Sequence, residues 1–111
     1  MPTTVELYDE ADQLKAAGDL DGAAAKLTEA LRIDPEYALG YSALAVVEQK
    51  RGNHDAAIAH AKKVTELQPD DPFSFTALSV TYQRAYAGTN EMSYIQLAED
   101  AMARSRMIEG G

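Results

Sequence analysis

Apolar and polar residues alternate along this chain at helical rather than strand spacing. Leu7, Ala11 and Leu14 fall three and four residues apart and predict a first helix over about residues 5–17. Gly18 is placed to end it in the left-handed conformation, and Asp19 to cap a second helix that carries Ala23, Leu27, Ala30 and Leu31 on one face. Asp34-Pro35 stops that helix, because the residue before proline avoids helical dihedrals. A third helix is expected from Glu36 or Ala38 to Arg51, with Tyr41, Leu44, Ala45 and Val47 inward, and Gly52-Asn53 as its stop and the next start. A fourth spans about 55–67 and ends at Gln68-Pro69. Asp71 at the N-cap and Pro72 at the first helical position open a fifth, with Phe75, Leu78, Ser79 and Tyr82 inward. A turn over Tyr86-Ala87-Gly88-Thr89-Asn90 leads to a sixth over about 91–107, and Gly110-Gly111 ends the chain.

The apolar pattern repeats with a period of 34 residues. Ala23, Leu27, Ala30 and Pro35 return as Ala57, Ala61, Val64 and Pro69, Gly18 as Gly52, and Ala11 as Ala45. A unit of two helices cannot bury its apolar face alone, so a fixed period of this length implies stacked units. Small residues at Ala11, Ala45, Ser79, Ala23 and Ala57 let the helices of one hairpin approach closely, and Tyr41, Leu27 and Phe75 fill the gap to the next.

These residues resemble the tetratricopeptide repeat. In the second unit Tyr41 stands for its first aromatic, Leu44-Ala45 for its Leu-Gly pair, and Ala57 and Pro69 keep their places. In the first unit Leu7, Ala11, Leu14, Ala23, Leu27, Ala30 and Pro35 match, and in the third Phe75, Leu78, Ser79 and Tyr82. The resemblance implies an all-α fold, a right-handed α-solenoid of six helices in one domain over 1–111, with repeats at about 4–37, 38–71 and 72–109. The sequence departs from the pattern at Glu10, where leucine is expected, and at Glu48, where tyrosine is expected. The longer third turn leaves two registers for the last helix. One turns Ser93 and Leu97 inward, the other Tyr94, Ala98 and Ala101; the second is favoured because the first points Asp100 into the core.

The resemblance also implies a concave groove lined by the first helix of each repeat. Its positions fall on Val5, Tyr8, Asp12 and Lys15, then Leu39, Ser42, Val46 and Gln49, then Phe73, Thr76, Val80 and Gln83, with Arg84 at the edge. Tyr8, Leu39, Val46, Phe73 and Val80 are the candidate anchors, and an exposed apolar strip with a polar rim suits a peptide or helix of a partner. The competing reading is that these residues touch neighbouring repeats. One branch of the family grips the C-terminal carboxylate of heat-shock chaperones with lysines, asparagines and an arginine. Tyr8, Asp12, Ala43, Phe73 and Thr76 occupy those positions here, so that specificity is not expected. With no helix following the third repeat, Met92, Ile95, Ala98 and Met102 form an apolar stripe with one open side. Self-assembly through that stripe is the alternative to a peptide-binding module.

Composition narrows the function further. The 111 residues carry a formal charge of −8, which disfavours nucleic acid as a partner. Residues 1–37 hold nine acidic side chains against three basic ones, consistent with either a basic partner or a solubilising surface. There is no cysteine, hence no disulfide or thiolate chemistry. No apolar run reaches the ~18 residues that cross a bilayer, and no signal peptide is visible, so a cytoplasmic location without membrane contact is expected. His54 and His60 do not share a helix face as metal ligands; His54 reads as a packing or capping residue and His60 as a surface one. Asp19-Leu20-Asp21-Gly22 lacks the later ligands of a calcium loop. No phosphate loop, nucleophile elbow or cofactor box appears, so neither catalysis nor a cofactor is expected.

Overall fold

Side-chain caps fix three of the helix starts, and glycines in the left-handed conformation mark two of the turns. The computed structural model describes residues 1–110; Gly111, named above as part of the chain's end, lies outside them. The described residues form α1 (Thr4–Ala16), α2 (Leu20–Ile33), α3 (Ala38–Lys50), α4 (His54–Leu67), α5 (Pro72–Thr89) and α6 (Ser93–Gly110). At α1 the Glu6 N–H donates to Thr3 Oγ1 and the Thr3 N–H to Glu6 Oε1, both at 3.2 Å, a reciprocal cap. Asp19 accepts from the Gly22 N–H at 2.9 Å, and Asp71 from the Phe73 N–H at 3.0 Å. Gly18 and Gly52 sit at φ 89° and 83°, where a Cβ would be strained.

The helices stack as three antiparallel hairpins. α1, α3 and α5 form one layer and α2, α4 and α6 the other, within a slab of 41 × 32 × 19 Å. The thinnest dimension matches two helix diameters of about 10 Å each. One core cluster joins the first hairpin to α3 through Ala11, Ala23, Leu27, Leu44 and Val47. The other joins the second hairpin to the third through Ala45, Ile58, Ala61, Leu78, Tyr82 and Ala98. Ser79 takes the small-residue place of Ala45 and is 1% exposed; its hydroxyl donates to the Ala98 carbonyl at 2.7 Å, which removes the cost of burying it.

The buried Glu48 is also accounted for. Its carboxylate accepts from Arg51 at 2.7 Å and from Asn53 Nδ2 at 3.1 Å, and Arg51 reaches on to Asp21 at 3.1 Å. This chain of charges ties the start of α2 to the turn between α3 and α4. The Asn53 side chain, its Nδ2 donating to Glu48, gives no cap hydrogen bond to α4.

The third hairpin differs from the sequence expectation. Tyr86 to Thr89 are not a turn: α5 continues through them and ends at Asn90, which takes the left-handed conformation at φ 61°. The added turn of α5 passes over the His54 imidazole at the start of α4, and a Cβ on Gly88 would collide with that ring. α6 starts two residues later than expected and runs through Gly110. It takes the register with Ala98 and Ala101 buried and Tyr94 stacked on Tyr82 at 6.0 Å, while Asp100 stays exposed and accepts from Gln96. His60 is half-buried with its ring 6.1 Å from Tyr41, not a plain surface residue.

Candidate interaction groove

The inner layer of helices leaves a crevice on each side of α3. Between α1 and α3 lies a hollow of about 200 Å³ with Tyr8, Asp12 and Lys15 on one wall, Ser42, Ala43 and Val46 on the other, and Leu27 at its floor. Tyr8 is held edge-on to Tyr37, ring centres 6.3 Å apart. Asp12 and Lys15 pair with each other at 3.6 Å, so this crevice neutralises its own charge.

Between α3 and α5 lies a larger hollow of about 360 Å³. Ser42, Val46, Gln49 and Lys50 form its α3 wall, and Ala77, Val80, Thr81 and Arg84 its α5 wall. Ala45, Ala61 and Val64 make the floor apolar. Val46 and Val80 are 42% and 37% exposed, although valine is ordinarily a buried residue. Lys50 and Arg84 stand at the same position of successive units, 34 residues apart, and neither enters an ion pair among the described residues. Ser42 and Val46 line both crevices and make them continuous.

Several expected groove residues do not line these crevices. Val5, Leu39 and Phe73 are each the second residue of their helix, 58%, 58% and 74% exposed, and line neither crevice. They form a row at the helix N-termini. Thr76 faces α6, its hydroxyl 2.9 Å from that of Ser105. Gln83 donates to Ser79 Oγ at 3.2 Å and lines a separate hollow between α5 and α6. The reason is positional. Ser42 and Gln49 on α3 face the next inner helix, α5, whereas among the described residues α5 has no later inner helix for Thr76 and Gln83 to face. Lys50, Ala77 and Thr81 were not read from the sequence as groove residues. Lys50 carried one signal: it precedes Arg84 by one full period.

Of the expected self-association residues, Ile95 and Met102 line the α5–α6 hollow, Ala98 is its buried floor, and Met92 is 69% exposed outside it. The groups whose protonation is shifted, His60, Tyr37 and Tyr94, lie outside both crevices. Among the described residues no cluster of His, Asp or Glu could hold a metal ion, and no helix is long and apolar enough to cross a membrane.

The family model described as "Tetratricopeptide repeat" matches residues 14–78. No curated protein matches the sequence. Two crystal structures of MamA superpose with TM-scores of 0.81 and 0.71, each at 18% identity. They cover 97% and 95% of this chain, which spans only 59% and 57% of theirs. The TPR2B domain of yeast Sti1, solved in its pHsp70 complex, superposes with a TM-score of 0.64 at 20% identity, covering 94% of this chain and 96% of that one. At such identities the likeness is one of fold.

Proposed function

This chain belongs to the tetratricopeptide repeat family, a protein-interaction fold, and we propose that it is a non-catalytic module that binds a peptide or helix of a protein partner in the α3–α5 crevice. The observation that carries this reading is the pairing of Val46 and Val80, exposed across an apolar floor, with Lys50 and Arg84 left without acidic partners in a chain of net charge −8. Apolar side chains of the partner cover the two valines, and an Asp or Glu further along reaches the two cations. Each burial of a large apolar side chain contributes about 1.5–3 kcal/mol, enough to dominate a short ligand. The Sti1 domain's complex with pHsp70 supports a protein ligand on this fold. The chemistry here is separate, because the chaperone-tail positions hold Tyr8, Asp12, Ala43, Phe73 and Thr76.

Selection from a random peptide library tests the reading. Bound sequences should share an apolar residue followed by an acidic one, and binding should fall at least tenfold with Arg84→Glu or Val46→Glu while Leu39→Glu leaves it unchanged. Enrichment of basic peptides, or binding indifferent to both groove variants, would reject it.

A further inference from the structure

The hollow between α5 and α6 is the third in a series. In the second, α5 seats Ala77 and Thr81 against α3 and α4; the third is built likewise but no element of the described residues fills it. It measures about 470 Å³ and is lined by Ser79, Gln83 and Tyr86 of α5 and by a stripe of α6. That stripe is Ile95, Glu99, Met102 and Arg106, spaced four, three and four residues apart, so it occupies one helix face. Glu99 and Arg106 are exposed, and neither is in an ion pair among the described residues.

We infer that a second copy of this chain fills the hollow, its α6 lying antiparallel along the first α6 with Met102 at the two-fold axis. The charge pattern selects this arrangement. Glu99 and Arg106 lie about 10.5 Å apart along the helix and equidistant from a point beside Met102. An antiparallel pair centred there sets Glu99 of each copy against Arg106 of the other, giving two ion pairs by symmetry. The flanking residue is apolar Ile95, and the floor is the small pair Ser79 and Ala98, which permits close approach. Antiparallel contact is also how α5 lies on α4 and α3 on α2 within the chain.

Head-to-tail stacking of copies is disfavoured by α1. The positions that seat α3 on the first hairpin are Gly40, Ala43 and Leu44, and α5 places Ser74, Ala77 and Leu78 there. On α1 the same positions are Glu6, Asp9 and Glu10, all exposed. Stacking α1 on the hollow would drive three carboxylates onto an apolar surface beside Glu99. The pair therefore closes as a dimer and does not extend into a filament. This surface lies on the opposite flank of α5 from the peptide crevice, so the inference stands apart from that reading.

Light scattering on a size-exclusion column from about 10 µM to about 1 mM tests it. The native chain should rise from 12.0 kDa toward twice that mass. Glu99→Arg and Arg106→Glu should each remain monomeric alone, because each sets like charges against each other. Mixed in equal amounts they should pair, and the Glu99→Arg/Arg106→Glu double variant should pair with itself. Both sites are exposed, and helical circular dichroism confirms that each variant is folded. Val46→Glu, in the peptide crevice, should leave the mass unchanged. A native chain that stays at 12.0 kDa throughout, a dimer untouched by the single swaps, or a mixture that fails to pair would each overturn the inference.

Discussion

The two crevices flanking α3 are made by one backbone period and differ at several equivalent positions, two of which set their size and polarity. Leu27 fills the floor of the first, where Ala61 stands 34 residues later in the second. Asp12 lines the wall of the first, where Val46 and Val80 stand in the later units. The result is a small crevice of about 200 Å³ with a self-paired Asp12–Lys15, beside a deeper apolar one of about 360 Å³ with two free cations. The solenoid supplies the shape, and single side chains at fixed places in the period decide what each crevice offers a ligand.

The strongest way to break this contrast is Leu27→Ala, which gives the first crevice the floor of the second. Leu27 is 1% exposed, so the change should cost about 2–5 kcal/mol in urea unfolding, with the native helical spectrum retained. A cost under about 1 kcal/mol would mean that Leu27 does not hold the first hairpin to α3. Next in size is Glu48→Ala, which removes the link between the two units. Asn53 loses its partner and Arg51 keeps only Asp21, for an expected loss of about 1–3 kcal/mol. Replacing Asp21 alone, at the exposed end of the same chain of charges, should cost far less.

Asp12→Val sharpens the comparison with little structural effect. The Asp12–Lys15 pair is largely exposed, so stability should change by no more than about 1 kcal/mol. Peptides with apolar residues long enough to span both crevices should bind more tightly, and an unchanged affinity would show that the first crevice takes no part. The smallest effect concerns pH. Lys26 of the first unit pairs with Glu10, whereas its equivalent, His60, is partly buried against Tyr41. Burial holds the His60 imidazole below its ordinary value, with the Glu48 charge opposing. As pH falls, the unfolded chain therefore takes up this proton before the folded one. The stability from a neutral His60 is complete above about pH 6.5 and is lost as pH falls through the lower folded value. His60→Gln should flatten that slope in denaturant midpoints as pH falls below about 6.5. An unchanged slope would place the proton uptake elsewhere.

Local chemistry was enough to read the helices and their period. Gly18 and Gly52 had to take positive φ, Asp19 and Asp71 had to cap, and Asp100 could not face a core, so the boundaries and the register of α6 were legible from neighbours in sequence. The side chains of Val46 and Val80 were likewise legible as exposed, because they fall off the packing face of their helices. What lay beyond the sequence depended on residues far along the chain. α5 extends through Thr89 and lays Gly88 against the ring of His54, thirty-odd positions earlier, a contact between residues far apart in the chain. Glu48 is buried because Arg51 and Asn53 meet it and Asp21 draws Arg51 into place. Thr76 and Gln83 leave the groove, and Ala77, Thr81 and Lys50 enter it, because a ridge position faces whichever helix lies beside it. Periodicity places a residue on the ridge; only the packed neighbour decides to which side it turns.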